Sequence, residues 1–284
     1  MSSLIIPNPP YPSKRKYQKF RLFYKASGFK GEFTDEWLDW FIGFFEADGC
    51  ISTYKNRNYL ILTQKEEAIL SEIFNALGFG RLFFDKNVNA WRWNVSDVKG
   101  AALLILLLNG NLVVPYRITQ LDKAVKALNS TLSNPKSRNY GLIEPVVLID
   151  RPLLPSLNDS WLRGFTDGEG CFNVEIRKYD VRLRFLLDQN DFEEAFKLIR
   201  DMFGGKGSLY LRSVKNKTWR LQISDLDCLA NVIEYYTHFP LRTKKNLSFQ
   251  KWVNIYNMVL NGDGNTAEGL AQISVLKKDI NPKG

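Results

Sequence analysis

The sequence predicts an α+β fold made of two pseudo-symmetric αββαββα repeats, and three observations carry that expectation. The stretch Trp40-Phe41-Ile42-Gly43-Phe44-Phe45-Glu46-Ala47-Asp48-Gly49-Cys50 returns without a gap as Trp161-Leu162-Arg163-Gly164-Phe165-Thr166-Asp167-Gly168-Glu169-Gly170-Cys171. Further segments then recur in the same order: Thr63-Gln64 as Asp188-Gln189, Phe79-Gly80 as Phe203-Gly204, Trp91-Arg92-Trp93 as Trp219-Arg220-Leu221, and Pro115-Tyr116-Arg117 as Pro240-Leu241-Arg242. Between these markers the apolar spacing switches from helical to alternating and back in both copies. The chain divides accordingly into a basic N-terminal arm (1–33), a first repeat (34–128), a linker (129–155), a second repeat (156–261) and a C-terminal tail (262–284).

In the arm, Lys14, Arg15, Lys16, Lys19, Arg21, Lys25 and Lys30 face a single acid, Glu32. Such an arm either tracks phosphates or is a solvated tail. Its prolines (Pro7, Pro9, Pro10, Pro12) argue against an amphipathic transit helix, and no signal-peptide core is present. Thr34-Asp35-Glu36 reads as a helix start with acids in the first turn. After Gly49, a hairpin is expected over Cys50 to Gln64, broken by Lys55-Asn56-Arg57-Asn58. A helix from Lys65 to Leu77, stopping at Gly78, leads into a second hairpin over Gly80 to Ser96. Helices over Asp97 to Leu108 and Pro115 to Leu128 close the repeat. The linker is marked by Pro135, Pro145, Pro152 and Pro155, and the tail holds one weak helix, Glu268 to Leu276.

The chain has 284 residues, of which 45% are hydrophobic, enough for a packed core. Lys and Arg outnumber Asp and Glu 39 to 30, which favours a polyanionic partner. His238 is the single histidine, so His-dependent nucleases, Ser-His-Asp hydrolases and His-rich zinc sites are poor fits. Cys50, Cys171 and Cys228 lack metal-ligand spacing and suit free thiols in a reducing compartment. The longest apolar run, Ala101 to Leu108, is too short to cross a bilayer.

Each repeated stretch reads as a helix that ends in an acid and a glycine. Gly43 and Ala47 are four apart, as are Gly164 and Gly168, so each helix carries one stripe of small residues. If the two helices cross on those stripes, Asp48 and Glu169 meet at two helix C-termini. Like charges at the negative ends of two helix dipoles are unfavourable unless a cation lies between them, and divalent metal would supply one. The plainer reading is a helix that stops at Asp-Gly or Glu-Gly because glycine is a good C-cap.

The hairpins add basic and aromatic residues. Ser52, Tyr54, Lys55, Arg57 and Arg92 belong to the first repeat, and Asn173, Arg177, Lys178, Arg182, Arg184, Arg212, Lys215, Lys217 and Arg220 to the second. Antiparallel strands with one such face suit a β-ribbon in a DNA major groove; the alternative is an ordinary solvated face.

Phe41 to Gly49 and Leu162 to Gly170 resemble the signature of the LAGLIDADG family of homing endonucleases and intron maturases. Two copies in one chain are similar to its single-chain branch. The resemblance implies saddle-shaped antiparallel sheets, with the signature helices at a central interface, and a monomer that cuts both strands of double-stranded DNA at a long asymmetric site. It implies Mg²⁺ as cofactor, with Mn²⁺ or Ca²⁺ substituting in binding, held by Asp48, Glu169 and the backbone carbonyls of Ala47 and Gly168. It further implies Gln64, Gln189 and Lys245 around the metal sites. Gln120 stands where the alignment of the first repeat would put a basic residue, and Arg117 and Arg242 are candidates to cover that role and to contact DNA. Glu46 and Asp167 read as structural. The alternatives are a maturase that binds intron RNA and a non-cleaving DNA-binding protein of the same fold. The resemblance implies an organellar gene, mitochondrial before chloroplast, and no membrane partner.

Overall fold

The computed structural model describes residues 15–177 and 180–280; the N-terminal proline-rich segment, Lys14, Lys178 and Tyr179 lie outside them. The described chain forms two units. One runs through residues 15–155 and takes in 159–161; the other holds 156–158 and 162–280.

The first unit opens with a helix inside the supposed arm, α1 (Gln18–Ser27). Phe20 and Tyr24, four apart, are buried on its inner side, and α1 packs against α4 (Val98–Leu108). Residues 15–27 are therefore neither a solvated tail nor an extended phosphate-tracking arm. Arg15 itself is buried: Nη1 lies 2.7 Å from Asp159 Oδ2, and Nε donates to the Asn111 carbonyl at 3.3 Å.

Thr34 caps α2 (Asp35–Asp48), its Oγ1 accepting from Trp37 N at 3.1 Å. From Trp37 to Ala47 nearly every residue of α2 is buried, so the helix is core on all sides. It runs straight into β1 (Gly49–Tyr54). Gly49 has φ −77° and ψ 157°, an extended conformation and not the left-handed cap expected. A side chain is excluded there for another reason: a Cβ would lie 2.3 Å from the Phe45 carbonyl oxygen.

Lys55 and Asn56, both at positive φ (46° and 58°), form a two-residue turn to β2 (Arg57–Gln64). The turn is tighter than expected, and Asn58 is drawn inside, donating Nδ2 to the Ala124 carbonyl at 2.9 Å. Helix α3 (Glu67–Leu77) follows and stops at left-handed Gly78. Strands β3 (Arg81–Asp85) and β4 (Ala90–Val95) complete an antiparallel sheet of order β1-β2-β4-β3. The apolar α4 and then α5 (Pro115–Leu132), with proline in its first turn, cover one sheet face.

The second unit repeats this plan: α6 (Trp161–Glu169), β5 (Gly170–Arg177), β6 (Asp180–Asn190), α7 (Glu193–Met202), β7 (Ser208–Ser213), β8 (Thr218–Ile223), α8 (Leu226–His238) and α9 (Lys245–Leu260), with sheet order β5-β6-β8-β7. Each repeat thus ends in two helices. Its core is aromatic, with Phe172 in ring contact with Phe185, Tyr236, Phe249 and Trp252. The tail is more regular than expected: α10 (Ala267–Lys278), capped by Thr266, packs on α9 and buries Ile273.

Candidate catalytic helix ends and nucleic-acid face

Asp48 is the last residue of α2, half-buried, and Gln64 at the end of β2 donates Nε2 to its Oδ2 at 2.6 Å. The carboxylate is held by strand pairing, because Gly49 and Leu62 are in register and Gln64 follows two residues on. Just before it, Glu46 is fully buried and accepts three hydrogen bonds: from Val113 N at 2.8 Å, Val114 N at 2.7 Å and Trp161 Nε1 at 2.6 Å. Burial pushes its carboxyl up to about 7, although these donors and nearby Arg15 all favour the charged form. Glu46 thereby pins the start of α5 to the end of α2.

Arg117, in the first turn of α5, uses that anchorage. Its Nε donates to the Glu46 carbonyl at 3.0 Å and its Nη2 to the Ala47 carbonyl at 3.3 Å, while Nη1 reaches Gln120 Oε1 at 3.0 Å. A cation on the last carbonyls of a helix meets the negative end of its dipole. Arg117 was expected at a DNA surface. It is instead 6% exposed and spends its donors on backbone oxygens.

The second unit builds the same device with other residues. Glu169 ends α6 and is half-buried. Asp167, two residues earlier, accepts from Arg242 N and Thr243 N at 3.0 Å each and from Thr243 Oγ1 at 2.6 Å. Lys245, the first residue of α9, donates Nζ to the carbonyls of Thr166 (3.1 Å) and Gly168. Glu46 and Asp167 are thus structural staples. Arg242 contributes its backbone N–H, with its side chain on an exposed loop residue.

Two expectations change here. The task of Lys245 falls to Arg117 in the first unit and not to Gln120, since both donate to the last carbonyls of their signature helices, although the staple contacts themselves align Lys245 with Tyr116. Gln189 does not mirror Gln64. It is 5% exposed, its Oε1 accepts from Asn190 N at 2.8 Å, and its Nε2 is buried with no partner, so it does not bond Glu169.

Strand register sorts the hairpin residues. In the first sheet, Leu60, Leu62, Trp93 and Val95 face the helices, which turns Ser52, Tyr54, Arg57 and Arg92 to the other face, with Lys55 at the turn. In the second, Phe172, Val174, Leu183 and Phe185 face the helices, and Asn173, Arg177, Arg182, Arg184 and Arg220 lie opposite. Arg212 sits at a bulge in β7, and Lys215 and Lys217 in the exposed β7–β8 turn. Several of these arginines are paired. Glu175 takes Arg177 at 3.0 Å and Arg184 in closer contact; the Arg177 hydrogen bond, then the Arg184 charge, hold its carboxyl below the usual range.

Among the described residues no three His, Cys, Asp or Glu side chains converge on a common metal site. Each half offers one part-exposed carboxylate and one carbonyl: Asp48 with Ala47, and Glu169 with Gly168. An all-oxygen donor set this small fits a hard cation that keeps most of its ligands as water and phosphate, as Mg²⁺ does, and not zinc. Arg117 and Lys245 occupy one lone pair of each carbonyl and leave the second.

Residues 41–128 and 162–256, more than half of the chain, match the family described as LAGLIDADG endonuclease. A "Probable intron-encoded endonuclease 4" of Neurospora crassa is 31% identical over 261 residues, which are 87% of this chain and 45% of that protein. The "Uncharacterized cox1 intron-2 37.2 kDa protein" of Schizosaccharomyces pombe is 25% identical over 84% of this chain and 72% of its own. This chain therefore spans about half of the Neurospora relative's length. Among solved structures, the meganuclease I-SmaMI bound to uncleaveable DNA superposes with TM-score 0.68 over 90% of this chain and 99% of its own, at 17% identity. The same protein bound to uncleaved DNA in the presence of calcium ions gives 0.65. The duplicated sheets and helices are the fold of those structures, and the matched signatures decide the family: this chain belongs to the LAGLIDADG endonucleases.

Proposed function

We propose that this chain is a monomeric, site-specific endonuclease that hydrolyses phosphodiester bonds in double-stranded DNA. The observation that carries the reading is the repeated helix end. In each half a part-exposed acid follows a carbonyl, a buried acid staples the next helix, and a base from that helix caps the carbonyls. A structural helix terminus needs the staple and the cap but gains nothing from a part-exposed carboxylate beside them.

Asp48 and Glu169 would hold Mg²⁺ together with the carbonyls of Ala47 and Gly168, and Ca²⁺ or Mn²⁺ would bind in the same places. The metal would supply an activated water and charge stabilisation at the leaving oxygen. Gln64 orients the Asp48 carboxylate through its Nε2–H. Arg117 and Lys245 set the positive charge next to each carboxylate. The two acids, one from each half, would serve opposite strands. The intron-encoded relatives support an intron of a mitochondrial gene as the source.

A cleavage selection on a randomised duplex library with Mg²⁺ tests this. The intact chain is expected to cut one long asymmetric sequence, and Asp48→Asn and Glu169→Gln to lose double-strand cutting. If the intact chain binds and cuts no DNA but protects an intron RNA, the maturase reading replaces it.

A further inference from the structure

Arg92 and Arg220 hold the same place in the two sheets. Arg92 lies between Phe83 and Thr63 across β3, β4 and β2; Arg220 lies between Tyr210 and Asp188 across β7, β8 and β6. Both are on the face away from the helices, and both are tied to a carboxylate on that face. The acids come from opposite sides. Arg92 Nη1 reaches Asp85 Oδ2 on the outer strand at 2.8 Å. Arg220 takes Asp188 on the inner strand, Nε to Oδ1 and Nη2 to Oδ2, both at 2.6 Å. Arg212, two residues past Tyr210 as Asp85 is past Phe83, adds Nη1 to Asp188 Oδ2 at 2.5 Å. The arginine is kept between the halves while its acid has changed strand.

A phosphate contact does not account for this. A carboxylate beside the guanidinium repels phosphate, and a neutralised pair contributes little to counterion release. What the acid supplies is a fixed orientation. The paired side chains are largely sequestered, 22% and 19% exposed for Arg220 and Asp188, and 31% and 13% for Arg92 and Asp85. Asp188 grips the Nε–Nη2 edge of Arg220, which leaves the Nη1 end turned from the carboxylate, with the Tyr210 hydroxyl beside the guanidinium. A guanidinium held in that way is preorganised for the O6 and N7 acceptors of guanine. The exposed Arg57 and Lys215 have the character of phosphate contacts instead.

We propose that Arg92 and Arg220 each read a guanine edge in the DNA major groove, and that Asp85 and Asp188 are positioning residues that aim them. This rests on the DNA-binding reading above. The test is a binding selection from a randomised duplex DNA library in metal-free buffer, which separates binding from cutting, followed by single-base substitution and salt titration. The full chain is expected to enrich a site with a guanine under each arginine. Arg220→Ala and Arg220→Lys should each erase the preference at one base pair, by roughly 10- to 100-fold, with the rest of the site unchanged. Asp188→Asn should weaken that same preference, and Arg92→Lys and Asp85→Asn should act at a different pair. Lys215→Ala should weaken all sequences alike and lower the salt slope by about one. The proposal is overturned if Arg220→Lys leaves every base preference intact, or if Arg220→Ala behaves like Lys215→Ala. An enriched site with those results would spare the endonuclease reading, whereas a library with no enriched sequence would overturn both.

Discussion

Arg117 and Lys245 perform one task from different places: Arg117 lies within the first turn of α5 and Lys245 is the first residue of α9, yet each donates to the last carbonyls of its signature helix. The longer reach of Arg117 reflects burial. With 6% exposure it satisfies two carbonyls and Gln120 at once, whereas Lys245 is half-buried.

Removing these caps should therefore have unequal effects. Arg117→Ala leaves buried carbonyls unpaired and is expected to cost about 2–4 kcal/mol of stability. Lys245→Ala should cost about 1 kcal/mol or less, while slowing cleavage by about 10- to 100-fold. Chemical denaturation and single-turnover cleavage of the same preparations separate the two; equal losses of stability would contradict the assignment.

Glu46 gives the fold a pH dependence. Its carboxyl sits at about 7 in the folded chain against an ordinary value of 4.5, and that of Asp39 at about 6 against 3.8, both because of burial. The folded state therefore holds these protons more tightly than the unfolded chain. Their contribution to stability is complete below pH about 4 and is lost as pH rises through 6 and 7. Glu46→Gln should flatten the difference between stability at pH 5 and at pH 7 by about 1–3 kcal/mol. Urea unfolding at a series of pH values reads this directly, and a slope that Glu46→Gln does not alter would refute it.

Gln64 and Gln189 occupy equivalent strand ends but make different contacts. Gln64→Ala frees the Asp48 carboxylate and is expected to slow the cutting of one strand. Gln189→Leu removes a buried Nε2 that has no partner, so it should be neutral or stabilising by up to about 1 kcal/mol. Strand-labelled duplex resolves the first effect and thermal melting the second; a loss above about 2 kcal/mol for Gln189→Leu would show an unrecognised contact.

Gly49→Ala and Gly170→Ala should each destabilise by about 2–4 kcal/mol through overpacking, since a Cβ meets Phe45 O at 2.3 Å in one and Thr166 Cγ2 at 2.3 Å in the other. Melting temperatures check this, and a tolerated alanine at Gly49 would mean that the helix-to-strand junction relaxes.

The duplication, the order of elements and an acid at the end of each signature helix were legible because each is local: a repeated string, a period, a charge next to a glycine. Arg117 was already a candidate for the basic role, but matching Pro115 with Pro240 paired it with Arg242 and hid that it shares the task of Lys245, because Pro115 opens α5 while Pro240 lies in the loop before α9. Helix α1 was masked by its lysines and arginines, which outweigh the Phe20 and Tyr24 stripe. Gly49 read as a left-handed cap because an acid before a glycine is the usual sign of one, whereas close approach to the preceding turn is what requires it. The pairing of Asp188 with Arg220 depends on the register of β6 against β8, which α7 and β7 separate in sequence, and no single segment displays it.

The direct test of two carboxylates, one for each strand, is strand-resolved cleavage of the selected duplex with Mg²⁺ by Asp48→Asn and Glu169→Gln. Each variant is expected to lose cutting of at least one strand by about 1000-fold or more while binding the duplex as the intact chain does. Cutting of both strands at the intact rate by either variant would contradict it.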